Sequence, residues 1–358
     1  MKHIGKKCRE IFTLISIKSQ SPCSQSVLGK TLLSLLPAMT YGCSISEKDM
    51  HSPVHTSEEV SLNITKGGNA GEIATLDILV FRDDELKLLD CYQRIEDTGK
   101  WDRNVTSGTG RRIISICANG QLECDEWAWV RSRQTLDKIT ASLELERRDN
   151  PLMSGEAAIT MNAERKDITE ISIYPLVSEI YLRSICCDFR GKPYSGEKIH
   201  DVKVYLTNVN AECGLLEDGM IYPKRIINPG RLCQEDVRLF SETSLIVQEI
   251  PQDIGTSWIY PDIRLWCYPG NIEEESPGTP YTRLVIEGKI SGKTFYWPVN
   301  INREEGGSGI GRNQRYIYDI KITRKGSDDP DRPVNTEDLD ISFEIKTWEE
   351  KENYLIGF

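Results

Sequence analysis

Histidine is scarce in this sequence, with four in 358 residues, and beyond position 43 only His51, His55 and His200 occur. An imidazole-based triad would have to be built around His200, and no nucleophile-elbow pattern accompanies it. No Cys-x-x-Cys pair occurs anywhere, which removes the zinc-ribbon and thioredoxin-type readings. No apolar run approaches the roughly 20 residues needed to span a bilayer as a helix. Fixed-period repeats are missing too, so a solenoid is excluded. Positive charge is in deficit: 44 Lys and Arg face 55 Asp and Glu, a net charge of −11. The segment 1–42 holds six of those bases (Lys2, Lys6, Lys7, Arg9, Lys18, Lys30) against the single acid Glu10. Without it, 38 bases face 54 acids, a net charge of −16. Such a surface repels phosphate backbones and anionic headgroups alike, which excludes nucleic acid and a polybasic membrane contact.

Candidate ligand sets are equally thin. His51 and His55 are spaced to share a metal, but no third ligand is indicated. Ser327-Asp328-Asp329-Pro330-Asp331 is acidic without the alternating ligands and closing Glu of a calcium loop, and reads as a solvated turn. The glycines of 306–311 precede a strand pattern rather than a helix, so they offer no helix N-terminus to a phosphate. No paired carboxylates, metal cluster or nucleophile can be localised, and the chain reads as a non-enzyme.

What is present points outward from the cell. Lys30 precedes the apolar run Thr31-Leu-Leu-Ser-Leu-Leu-Pro-Ala-Met39, and Thr40-Tyr41-Gly42-Cys43 follows. A basic flank, a dozen apolar residues and a small residue before the cut are the parts of a secretory signal over 1–42. Gly42-Cys43 resembles the end of a bacterial lipobox, which makes Cys43 the expected lipidation site. The alternative is an ordinary signal peptide with Cys43 as a bystander. Two or three acyl chains at about 0.8 kcal/mol per buried CH₂ would hold the protein on a membrane. Residues 43–57 are polar and read as a tether.

With 39% hydrophobic and 28% charged residues, the rest is globular and long enough for two domains. Strand signals dominate. Val60, Leu62 and Ile64 alternate with polar neighbours, and a more apolar run covers 73–81. Further runs fall at 111–118, 159–161, 168–175 and 177–187. A helix is expected over 132–148, from the spacing of Leu136, Ile139 and Leu143 with Ser132 as cap. Beyond a boundary near Asp188, strands are expected at 202–208, 263–268, 282–290, 294–301, 314–323 and 339–347. Tyr316, Tyr318, Ile320 and Ile322 should share one buried face. Short alternating strands separated by Gly/Pro turns predict an all-β protein of antiparallel sandwiches, divided as 58–187 and 188–358. Eight cysteines follow Cys43, an even number that permits disulfides or buried free thiols. Trp127 and Trp129 would share a face if extended, which suits a carbohydrate platform, with Trp266 as a third candidate, or simple packing.

In order along the chain, several segments resemble the fimbrillins of Bacteroidales (type V pilins), with their anchor and tip subunits. They are Pro151-Leu-Met-Ser-Gly-Glu156, Ser257-Trp-Ile-Tyr-Pro261, Thr282-Arg-Leu-Val-Ile-Glu-Gly288, Arg312-Asn313, the stretch 316–326 and Asp328-Asp-Pro-Asp-Arg-Pro333. A closing strand ending at Trp348 completes the set. The resemblance implies two tandem transthyretin-like β-sandwiches, a position on the outer membrane held by lipid, and no cofactor beyond that covalent lipid. It also implies assembly with other fimbrial subunits by strand exchange: a protease cuts after an Arg between the first two strands, and the vacated groove takes a neighbour's C-terminal strand. The donor here would be Leu339, Ile341, Phe343 and Ile345 on one face, with Trp348 as a plug, unless 339–347 is an edge strand that never leaves home. Between the first two strands, 66–72 contains no Arg, so the first strand (Val60, Leu62, Ile64) should be retained. A subunit that donates but cannot accept would end a fibre as its anchor. Shaft or tip-adhesin roles, with a host or bacterial surface ligand, and a surface glycan-binding lipoprotein are the alternatives.

Overall fold

The computed structural model describes residues 57–59, 62–67, 71–96, 106–161, 169–216, 219–303, 307–332, 339–347 and 351–356. Residues 1–56, with Cys43 and the expected signal and most of the expected tether, lie outside the described residues. So do Val60, Trp348, His51 and His55.

The chain is all-β. The principal strands are β1 (Leu62–Gly67), β2 (Leu76–Arg82), β3 (Leu89–Ile95), β4 (Gly110–Ala118), β5 (Met153–Met161), β6 (Thr169–Pro175), β7 (Ser178–Cys187), β8 (His200–Thr207), β9 (Val247–Ile250), β10 (Ile263–Cys267), β11 (Arg283–Ile290), β12 (Lys293–Asn300), β13 (Gln314–Ile322), β14 (Leu339–Thr347) and β15 (Lys351–Ile356). They form a seven-stranded sheet, β15-β1-β6-β5-β4-β2-β3, and two four-stranded sheets, β10-β7-β13-β14 and β9-β8-β11-β12. The large sheet narrows at its middle, where β5 and β6 share only Met153↔Pro175 and Ser154↔Tyr174. Strand β7 pairs with β10 and β13, which sets it with the second half of the chain.

Pairing is not wholly antiparallel. β1 runs parallel to β6, and β7 parallel to β13. Each parallel pair joins strands more than 90 residues apart in sequence, and alternation within one strand carries no information about the direction of so distant a neighbour. Where one face is buried, alternation does its work. Tyr316, Tyr318, Ile320 and Ile322 are all at most 2% exposed, while Arg315, Asp319 and Lys321 point the other way.

The expected helix over 132–148 is not formed. Ser132 does cap a helix, accepting from the Thr135 amide at 3.3 Å, but α2 covers only Arg133–Leu136. Thr140–Ser142 then becomes a strand paired with Glu212–Gly214, and Leu143–Leu145 a 3₁₀ turn. Leu136 and Leu143 are buried as their spacing suggests. The β-branched pair Ile139-Thr140 sits where a strand partner from the second half is available, and that pairing overrides the weak helical preference.

The two halves are stapled by polar contacts. Arg312 donates through Nη2 to the carbonyls of Ser154 (2.8 Å) and Tyr174 (2.7 Å), and through Nε to that of Pro175 (3.1 Å). Arg148 donates to the carbonyls of Thr243, Ser244 and Arg264 and lies 5.4 Å over the Trp266 ring. Glu146, buried, accepts from the Leu152 amide at 3.1 Å and from Tyr268. One hydrophobic core runs through both halves.

Candidate functional site: the first and last strands

Strand β1 lies in the interior of its sheet, between parallel β6 and antiparallel β15. Ile64 faces Ile171 along β6 and is fully buried. Lys66, also buried, sends its ammonium 2.9 Å to the carbonyl of Gly71, which ties β1 to the segment that begins at Gly71. Gly71 is then pressed onto residue 149: a Cβ there would sit 1.4 Å from the Asp149 carbonyl oxygen, and the Glu72 amide donates to that oxygen at 2.8 Å. The connection to β2 contains no arginine. Leu62 is placed by its backbone, opposite Ile356 and Thr169.

At the other end of the chain, β14 pairs with β13 along its whole length, from Gln314↔Thr347 to Ile322↔Leu339. That register sets Leu339, Ile341, Phe343 and Ile345 opposite Ile322, Ile320, Tyr318 and Tyr316, so the apolar positions of both strands fall on one face. Leu339 is buried and Ile341 packs against the core, whereas Ile345 is 43% exposed. Strand β15 then crosses to the large sheet and pairs with β1, from Leu62↔Ile356 to Gly67↔Lys351. Strands β1 and β15 are therefore neighbours in one ladder, a juxtaposition that no local pattern signals.

The other candidates disperse. Trp127 closes the short helix α1 (Cys124–Trp127) and is buried, stacked 6.1 Å from Tyr92, while Trp129 is 81% exposed. Trp266 is buried beneath Arg148 in the other half. These three indoles form no common platform. His200 Nδ1 meets Asp253 Oδ1 at 2.8 Å on the surface. Among the described residues no cluster of three His, Cys, Asp or Glu is arranged for a metal. Asp331 lies exposed in a turn, as the acidic run suggested, and its Oδ1 also accepts from Arg283 at 2.6 Å and from Asn208 at 3.1 Å.

Cys91, Cys117, Cys187, Cys233 and Cys267 are free thiols. Burial pushes Cys187 up to about 11 and Cys267 up to about 12, so neither offers a thiolate at neutral pH. Burial also raises Asp77, beside Tyr92 and Arg94, to about 6, and Glu146 to about 7. Both carboxyls are buried. No helix among the described residues is long and apolar enough to cross a membrane.

The protein is all-β, built on a seven-stranded and two four-stranded sheets, and this fold is shared with solved fimbrial structures. Solved structures share it at low sequence identity. A candidate cell adhesion protein from Parabacteroides distasonis superposes with a TM-score of 0.60 at 15% identity, over 81% of this chain and 97% of that one. The fimbrilin FimA of Porphyromonas gingivalis gives 0.58 at 13% identity, over 81% and 98%. The tip fimbrial protein Mfa3 of the same species gives 0.52 at 12% identity, over 81% and 100%. No protein-family model matches the chain, and no curated protein matches it by sequence.

Proposed function

We propose that this protein is a structural subunit of a cell-surface fimbria, and within it the lipid-anchored subunit that terminates the fibre at the outer membrane. Support for the fimbrial part comes from the fold shared with a fimbrilin and a tip fimbrial protein. Support for the terminating role comes from one observation above all: β1 is held between two strands, with Ile64 fully buried and no arginine before β2. A groove occupied by the chain's own first strand cannot accept a donor. The tail 339–356 can then give a strand to the next subunit while this molecule receives none, with backbone hydrogen bonds supplying affinity and alternate side chains the register. Lipid on Cys43 would supply the attachment to the membrane.

Mass spectrometry of the N-terminal peptide from surface material tests both parts together. A diacylated Cys43 with 57–67 still attached is the expected result. A mature chain beginning near 67–73 would convert the protein into a shaft subunit, and an unlipidated product would remove the anchor. A tip role is the second reading, favoured by the full-length home ladder of β14. It predicts that deleting 338–358 leaves fibre assembly intact.

A further inference from the structure

Strand β12 ends its sheet, paired on one side with β11 from Arg283↔Asn300 to Ile290↔Lys293. Its other side is covered by a short strap, 324–331. The Tyr296 amide donates to the Ser327 carbonyl at 2.9 Å, and the Ser327 amide returns a bond to the Tyr296 carbonyl at 2.8 Å. Trp297 Nε1 donates to the Arg324 carbonyl at 3.0 Å. The Lys325 amide donates to the Tyr194 hydroxyl at 3.2 Å, and its ammonium lies 4.5 Å from the Tyr194 ring. The strap fits only because residue 326 is glycine: a Cβ there would meet the Tyr296 carbonyl oxygen at 2.1 Å. At its far end Asp331 is fastened to the buried Arg283, whose guanidinium also holds Glu275 through 2.6 and 2.8 Å bonds.

We propose that 324–331 is an edge guard, and that the side of β12 it covers is otherwise a self-association surface for a second copy of this chain. An uncovered edge strand presents free amides and carbonyls, the usual template for intermolecular pairing. The strap occupies the outward amide and carbonyl of Tyr296 in antiparallel fashion. A second Tyr296 related by a twofold axis could use the same two groups, because such a contact is self-complementary. Pro298 adds a second safeguard. Two residues beyond Tyr296, its nitrogen lies on the same outward side, where a missing N–H costs no rung to β11 but would deny one to an incoming strand. The edge of β10 is closed by comparable means: the Trp266 amide donates to Leu245, and Arg148 takes the Arg264 carbonyl.

Sedimentation velocity of the full chain tests this. Gly326→Val combined with Asp331→Ala should lift the strap, expose Trp297 to solvent with a red-shifted emission, and give a dimer that grows with concentration. Adding Pro298→Val should strengthen the dimer, and adding Thr294→Pro should return it to monomer. Hydrogen exchange of the β8 and β11 amides certifies that the sandwich persists. If it does not, Asp331→Asn alone is carried through the same Pro298 and Thr294 arms. Monomeric behaviour with the strap lifted and Pro298 replaced would overturn the proposal, as would a dimer indifferent to Thr294→Pro.

Discussion

Tyr268 donates its hydroxyl to Glu146 Oε1 at 2.8 Å, joining the two halves across 122 residues of chain. Burial is the larger influence on this carboxyl, ahead of the two hydrogen bonds it accepts, and lifts it from 4.5 to about 7. A raised carboxyl favours the folded state while it keeps its proton. The contribution is full below the unfolded value of 4.5 and is lost as pH rises to about 7. Glu146→Gln should therefore stabilise the protein at pH ~8, on the order of 2–3 kcal/mol at most, and lose its advantage below pH ~4.5. Urea denaturation across that range is the check; a pH-independent difference would refute the linkage.

Arg312 holds three main-chain carbonyls and the Ser154 hydroxyl at the narrow point between β5 and β6. Its replacement by Ala leaves those acceptors short of donors, at a cost of about 1–3 kcal/mol. Arg312→Lys should recover only part of the loss, since an ammonium cannot span the same fan of acceptors. Denaturation midpoints of the two variants, with equal m-values, give the ordering.

Ile64 is the fully buried centre of β1. Ile64→Ala should cost about 2–5 kcal/mol and loosen β1 within its sheet. Limited proteolysis would then cut around 66–75 faster than in the parent protein, while cleavage elsewhere stays unchanged. Uniform sensitisation along the chain would show that β1 is no separate unit.

Gly155 lies where β5 passes β6, and a Cβ there would sit 2.1 Å from the Ser172 carbonyl oxygen. Gly155→Ala forces backbone against backbone and should destabilise by about 1–3 kcal/mol. Gly278, with nothing within 4 Å of the equivalent position, is the control, and its alanine variant should melt like the parent.

Strands with one buried face were legible in the sequence, and β13 and β14 appear where alternation put them, the latter with the bounds Leu339–Thr347. Strand β15 was not. Lys351-Glu352-Asn353 is polar and shows no alternation, and only β1 waiting beside it makes the segment a strand. The helical spacing of Leu136, Ile139 and Leu143 identified core residues and misassigned their backbone, because burial and helix produce the same three-four rhythm over so short a window. Arginines acting as staples left no local trace: Arg148 and Arg312 find their carbonyls roughly 95 to 160 residues away. Trp127 and Trp129 looked like a pair because an extended chain puts them on one side, whereas α1 turns one inward and leaves the other outside.

The antiparallel contact of β1 with β15 has a mechanical side. Leu62 and Ile356 stand opposite each other, so the opening segment of β1 and the closing segment of β15 lie at the same end of the ladder. Tension applied between those two segments would peel the rungs one at a time instead of loading them together in shear. A modest pull could thus unzip this seam long before it disturbed either sandwich.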